Sequence, residues 1–214
     1  MTEQEGVIKY RLLHNDKAIS PTFPFADLNA WRHILYRLEL IGQDPQRYDG
    51  YGFGNISLRT AGEKFLISGT QTGHLPMLSP DHYAVIERAE PELNRLVSYG
   101  RIKPSSEALT HAMIYEQDPA IAAVIHVHCP EIWRHTHEMD LPHTRKEVAY
   151  GSVEMVAAVK KLFTSGRLKR SSIFSMLGHE DGVVAFGEDL GQAACLLIRQ
   201  LSLALTIEQR LKNR

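Results

Sequence analysis

Apolar positions along this 214-residue chain recur with two periods that take turns, one of two residues and one of 3.6. The opening Val7-Ile8-Lys9-Tyr10-Arg11-Leu12-Leu13 reads as a strand or extended arm, and residues 15–24 as a loop. From Asp27 onward, Leu28, Trp31, Leu35, Leu38 and Ile41 fall on one side of a helix that ends near Gly42. Two short strands follow, Ile56-Ser57-Leu58-Arg59 and Lys64-Phe65-Leu66-Ile67, divided by a turn at Ala61-Gly62-Glu63. Strands at 83–86 and 93–99 continue a meander, and an amphipathic helix with Leu109, Ala112 and Met113 should start near Ser106. Next come a strand through Ile121-Ala122-Ala123-Val124-Ile125, helices near 130–137 and 152–163, and strands at 173–177 and 183–186. Leu190, Ala194, Leu197, Leu201, Ala204 and Leu205 form one stripe of a long final helix. The pattern predicts an α/β fold, helices covering a sheet that is mostly antiparallel because several connections are too short for crossovers.

With 43% hydrophobic and 23% charged residues, the composition is that of an ordinary globular protein. A formal net charge of -1 offers no basic surface for a nucleic-acid backbone or an anionic bilayer, so the expected partner is a small molecule. The start Met1-Thr2-Glu3-Gln4-Glu5 is acidic where a secretory signal is basic and then apolar, and no stretch reads as a membrane span. A cytoplasmic protein is expected. The two cysteines, Cys129 and Cys195, suit a reducing compartment.

The strongest chemical signal is His126-Val127-His128 at the end of an apolar strand. Residues two apart on a strand share a face, which holds the two imidazoles roughly 6–7 Å apart, within chelating reach of a divalent ion. A single histidine is as readily a core residue; a pair at this spacing argues for more. Cys129 points to the opposite face and reads as packing. Pro104-Ser105-Ser106-Glu107 precedes the helix. It serves equally as an N-cap with a first-turn acid or as a set of donors for an anion, with Glu107 as a candidate acid or base beside the histidine strand. His111, one turn on, reads as a helix-face neighbour. Gly52-Phe53-Gly54-Asn55-Ile56-Ser57 and Ile67-Ser68-Gly69-Thr70-Gln71-Thr72-Gly73 could turn backbone N–H groups toward an anion, or could simply make turns. Met176-Leu177-Gly178-His179-Glu180-Asp181-Gly182 lies between two apolar runs. His179 could be a hairpin-turn residue or a third neutral ligand that leaves one position of a tetrahedral ion open, as in catalytic zinc sites.

Taken in order, Gly54-Asn55-Ile56-Ser57, Ser68-Gly69-Thr70, Pro104-Ser105-Ser106-Glu107, His111, His126-Val127-His128 and the late histidine resemble the class II aldolase and adducin N-terminal domain family. The resemblance spans residues 27–205 and implies an αβα-layered domain over 27–214, preceded by an N-terminal strand or arm at 1–26. Residue by residue it implies that His126, His128 and His179 hold Zn2+ or another divalent metal. It further implies that Asn55, Ser68, Gly69, Ser105 and Ser106 bind a phosphorylated substrate, and that Glu107 is the catalytic acid/base. The implied activity is a metal-dependent lyase that makes or cleaves a carbon–carbon bond in a small hydroxy-carbonyl sugar derivative through a metal-stabilised enediolate. Dehydration or epimerisation on the same site, and a non-catalytic adducin-like binding domain, are the alternatives. The family resemblance also implies a homo-oligomer, a tetramer.

Three features depart from the family pattern. His179-Glu180-Asp181-Gly182 is two residues longer than the usual histidine–glycine step. The last tyrosine is Tyr150, so there is no C-terminal tyrosine of the kind that fuculose-phosphate aldolases use as a proton donor. The segment 134–146, with His135, His137 and His143, does not match the family pattern and is expected to shape a different substrate pocket.

Overall fold

The computed structural model describes residues 6–169 and 171–213; residues 1–5 of the expected arm lie outside the described residues. The elements in chain order are β1 (Arg11–Asp16), α1 (Phe25–Arg37), β2 (Gly42–Gln43), β3 (Gly52–Phe53), β4 (Asn55–Arg59), β5 (Phe65–Ser68), β6 (Tyr83–Glu90) and β7 (Arg95–Gly100). Then follow α2 (Ala108–Gln117), β8 (Ala123–His128), α3 (Pro130–Arg134), α4 (Val153–Thr164), β9 (Ile173–Ser175), β10 (Gly182–Gly187) and α5 (Leu190–Lys212). Eight strands form one sheet in the order β1-β7-β6-β5-β4-β8-β10-β9. Every pairing in it is antiparallel except β1 with β7, which is parallel.

Strand alternation builds the two cores. Ile56, Leu66, Val85, Ile125, Val127 and Val183 face Leu28 and Leu35 of α1 and Leu190, Ala194 and Leu197 of α5. Phe65, Ile67, Ala84, Ile86, Val124 and Val184 face Leu109 and Met113 of α2 and Met155 and Val159 of α4. The chain is therefore an αβα layered domain. Cys129 joins the first core, on the face opposite His126 and His128.

Several elements differ from the sequence reading for physical reasons. The first helix stops at Arg37: Glu39 takes a left-handed φ of 57°, and the N–H groups of Leu40 and Ile41 both donate to the Leu35 carbonyl. Leu40 and Ile41 are buried beyond the helix and keep the apolar spacing without the helix. Helix α2 begins at Ala108, so Ser106 is not its N-cap; the Ser105 hydroxyl accepts the Glu107 N–H at 3.3 Å. Nor is α2 amphipathic, because residues 108–115 are buried on every side. Against the expectation of no membrane span, α5 is long and apolar enough to cross a membrane by length and composition alone. Its Ala193, Ala194 and Leu197 are nonetheless packed into the domain core.

Two interior features hold the ends of the central strands. Ser57 of β4 shares hydrogen bonds with His111 Nδ1 (2.7 Å) and the Tyr115 hydroxyl (2.8 Å), tying α2 to the sheet. Between β9 and β10, Gly178 lies so close to the 146–148 segment that a Cβ there would sit 2.1 Å from the Val148 carbonyl oxygen. Gly178→Ala should therefore destabilise the protein by about 1–3 kcal/mol in urea unfolding, since the obstruction is backbone and cannot rotate away. Burial pushes the His111 imidazole down to about 3 from 6.5. Below pH 6.5 the unfolded chain takes this proton while the folded chain does not. The stability linked to His111 is thus complete above about pH 6.5 and lost as pH falls toward 3, at up to about 1.4 kcal/mol per pH unit. Unfolding free energy measured across that range should show this slope, and His111→Gln should flatten it.

Candidate metal and substrate site

β8 runs Ala123–His128 with every residue buried, and its alternation continues the Val124 face as His126 and His128. His179 reaches them from the β9–β10 turn, which is closed by hydrogen bonds from Met176 N to Gly182 O (2.8 Å), His179 N to Met176 O (2.9 Å) and Gly182 N to His179 O (3.0 Å). The ring centroids are 5.0 Å apart for His126–His128, 5.0 Å for His126–His179 and 4.7 Å for His128–His179. One nitrogen from each ring lies within 4.8 Å of the others. The three nitrogens thus lie about one point that a single cation could occupy. The fold therefore brings together all three histidines that the sequence singled out, across 51 residues of chain for the last.

Burial, reinforced by the neighbouring imidazoles, holds His126 and His128 well below the ordinary histidine range. Neutral imidazole is the form that ligates a metal. Both ring nitrogens of His126 are buried, with the Val183 backbone beside the ring and no side-chain hydrogen-bond partner among the described residues. A buried imidazole nitrogen without a full partner costs about 1–3 kcal/mol, and a cation at this point would take its lone pair. An all-imidazole donor set suits a divalent first-row ion, so the residues present fit such a group.

Glu107 is 1% exposed and its Oε1 lies 3.9 Å from His179 Nδ1. It stands at the N-terminal cap of α2, held against β5 through Ser105 N to Ser68 O (3.2 Å). Asn55 lies directly across from His126 in the β4–β8 register, and its buried Oδ1 has no partner among the described residues. Ser68 Oγ accepts the Ile56 N–H (3.2 Å), a backbone-fixing role. Asn55, Gly69, Ser105 and Ser106 line one small polar cavity together with Thr70 and Thr72. Ser68 is not part of that lining. The cavity's walls are glycines and hydroxyl side chains at the ends of β4 and β5, a surface rich in small donors.

Four contributors carried no sequence signal. The Tyr150 ring stacks on His179 (4.6 Å, 24°), and Lys9 Nζ lies 3.7 Å from the same ring centroid while donating to the Tyr150 carbonyl. Tyr10, buried by α2, donates to the Ser105 carbonyl (2.8 Å); burial and then the Glu107 charge push its hydroxyl above the usual tyrosine range. Tyr48 packs its edge on His128 (4.5 Å) and donates to Asp181 Oδ2 (2.6 Å). Only Asp181 could have been noticed, as one of the two extra residues after His179. The segment 134–146 packs on β9 and α5 instead of lining the polar cavity: Thr144 N donates to Ser175 O, Ser175 N to Pro142 O, and Arg134 pairs with Glu208.

The same architecture occurs in solved structures. L-fuculose-1-phosphate aldolase from Thermus thermophilus superposes with a TM-score of 0.65 at 19% identity, over 88% of this chain and 95% of that one. A sugar-phosphate aldolase from Thermotoga maritima gives 0.69 at 17% identity, over 88% and 94%. The N-terminal class II aldolase domain of a conserved protein from Thermoplasma acidophilum gives 0.58 at 16%, over 89% and 96%. No curated protein matches the chain. The profile of one family matches residues 44–203, a span that holds every histidine of the cluster, Glu107 and the polar cavity's side chains. The chain belongs to the class II aldolase and adducin N-terminal domain family.

Proposed function

We propose that this protein is a metal-dependent lyase of the class II aldolase type, making or cleaving a carbon–carbon bond in a small, phosphorylated hydroxy-carbonyl sugar derivative. The observation that carries this reading is the convergence of three buried imidazoles with one buried carboxylate 3.9 Å away, next to a donor-rich cavity. His126, His128 and His179 would hold Zn2+ or a similar divalent ion. When bound, that ion supplies a Lewis acid for negative charge developing on substrate carbonyl and hydroxyl oxygens. Glu107 is the proton carrier: a carboxylate oxygen takes a proton from the carbon beside the substrate carbonyl in the bond-forming direction, solvent supplying the proton of the new hydroxyl, and in cleavage the hydroxyl proton leaves to solvent while Glu107 returns its proton to the carbon. Asn55, Gly69, Ser105 and Ser106 orient the substrate's phosphate, with Ser68 fixing the β4–β5 backbone behind them. Dehydration or epimerisation would use the same carboxylate with a different proton, and product analysis separates these outcomes. Retention of three histidines and a buried glutamate in one place argues against a purely adducin-like binding role.

The reading extends to the protein's surroundings. Leu203, Leu205 and Leu211 are exposed on the distal half of α5, a surface that assembly into a homotetramer would cover. Free Cys129 and Cys195 fit the cytoplasm.

Elemental analysis of untagged protein purified without chelator should show one divalent ion per chain, lost together with thermal stability in His126→Ala. Absence of stoichiometric metal in the native protein would remove the reading. Glu107→Gln should keep the metal and lower turnover about 10²–10⁴-fold against whichever sugar phosphate a substrate screen identifies; undiminished turnover would take the catalytic role from this residue. Light scattering should give four times the 24.2 kDa chain mass.

A further inference from the structure

The loop that carries Tyr48 belongs to none of the family motifs, yet it reaches into the histidine cluster from outside the strand ends. Five interactions meet there. Arg47 Nη2 donates to the Tyr48 hydroxyl at 2.7 Å, and that hydroxyl donates to Asp181 Oδ2 at 2.6 Å. The Tyr48 ring lies edge-on against His128, 4.5 Å between centroids at 70°, with Phe53 behind it at 5.1 Å. The Asp181 carbonyl accepts the Cys129 N–H at 2.8 Å, which fixes the His179 turn to the end of β8. One side chain thus touches both halves of the cluster: His128 through its ring, and the His179 turn through its hydroxyl.

The backbone at the tyrosine end of this hydrogen bond is strained. Tyr48 (φ 51°), Asp49 (φ 54°) and Asp181 (φ 59°) all sit in the left-handed region, where a bulky residue such as tyrosine is an outlier. Such strain persists only where the surroundings over-determine it, and it concentrates at functional sites. Asp181, in the turn that carries His179, places its carboxylate within reach of Tyr48.

We propose that Tyr48, gripped by Arg47 and Asp181, is a positioning residue that sets the orientation of His128 and the His179 turn for cation binding. The proposal rests on the metal-binding reading above. Tyr48 touches no substrate in this role; it acts through the two histidines, as groups behind metal ligands do.

Cobalt(II) titration of the full chain tests it, using competition with a chelator for affinity and the ligand-field absorption of the bound ion for geometry. Tyr48→Phe keeps the ring against His128 and loses the hydroxyl. It should weaken cobalt binding about 10–100-fold and change the absorption spectrum, with urea stability measured alongside. Asp181→Ala should do the same, and combining it with Tyr48→Phe should add little. Asp181→Asn keeps an acceptor for the hydroxyl and tolerates the left-handed φ, so it should bind and absorb like the wild type. Wild-type affinity and spectrum in Tyr48→Phe would overturn the proposal. So would Asp181→Asn behaving like Asp181→Ala while Tyr48→Phe does not, because the aspartate's charge would then be acting without the tyrosine. If the wild type itself fails to bind cobalt, the metal-binding reading falls first and this proposal with it. A Tyr48→Phe defect against a competent wild type separates the two.

Discussion

Three imidazoles buried at the end of one strand and the turn beside it set the terms for the rest of the structure. An interior position disfavours charge, so His126 and His128 are held in the neutral form. Neutral imidazoles still carry polar nitrogens. Buried polar atoms of this kind favour a partner that takes their lone pairs, which is what a cation would do. Everything near the cluster serves that geometry: β4 supplies Asn55 opposite His126, the Gly178 contact fixes the third turn, and α2 delivers Glu107 from the facing layer. The price is a domain whose most buried polar groups sit beside its most buried apolar ones, with no slack for a Cβ at Gly178.

Much of this is legible in the sequence, and the reason is periodicity. The alternation through Val124-Ile125-His126-Val127-His128 needs only strand geometry to put both histidines on one face and Cys129 on the other, which is where they lie. The α5 stripe is readable in its first half, where Leu190, Ala194 and Leu197 are buried as their spacing predicts, whereas Leu205 on the same stripe is exposed and Ala193 beside it is buried. What the pattern misses depends on partners distant in sequence. Leu38 and Ile41 keep helical spacing, yet a left-handed Glu39 ends the helix early so that Leu40 and Ile41 can enter the core. Helix α2 reads as one-sided when its residues are sorted into surface and core by type, whereas all of 108–115 is enclosed between the sheet and its neighbours. The parallel β1–β7 pairing has no local signature at all.

The site divides along the same line. His126 and His128 announce themselves by spacing; His179 is brought to them only by family resemblance, since 51 residues of intervening chain say nothing about proximity. Ser105 and Ser106 have the residue types of a cap, but the hydroxyl of Ser105 holds the Glu107 N–H from outside the helix, and the pair faces the cavity. Tyr48, Tyr150 and Lys9 are invisible in the sequence because an aromatic or a lysine in a loop is ordinary until a ring is found against it. Sequence motifs report the groups that do chemistry more readily than the groups that aim them.

The charge balance of the cluster carries one step further. Imidazole ligands in their neutral form would leave the formal charge of a bound cation untouched, and Glu107 is the one carboxylate paired with the cluster within 4 Å among the described residues. A dication there would leave the cluster at a net charge of about plus one, inside a low-dielectric enclosure where such a charge acts at full strength over several ångströms. An electron-rich oxygen is drawn to that point, and a carboxyl group sharing the cation's field releases its proton more readily than one buried alone. Burial by itself favours the protonated form of any carboxyl, so on the proposed reading Glu107 would act as a base only with a cation held where the three rings meet.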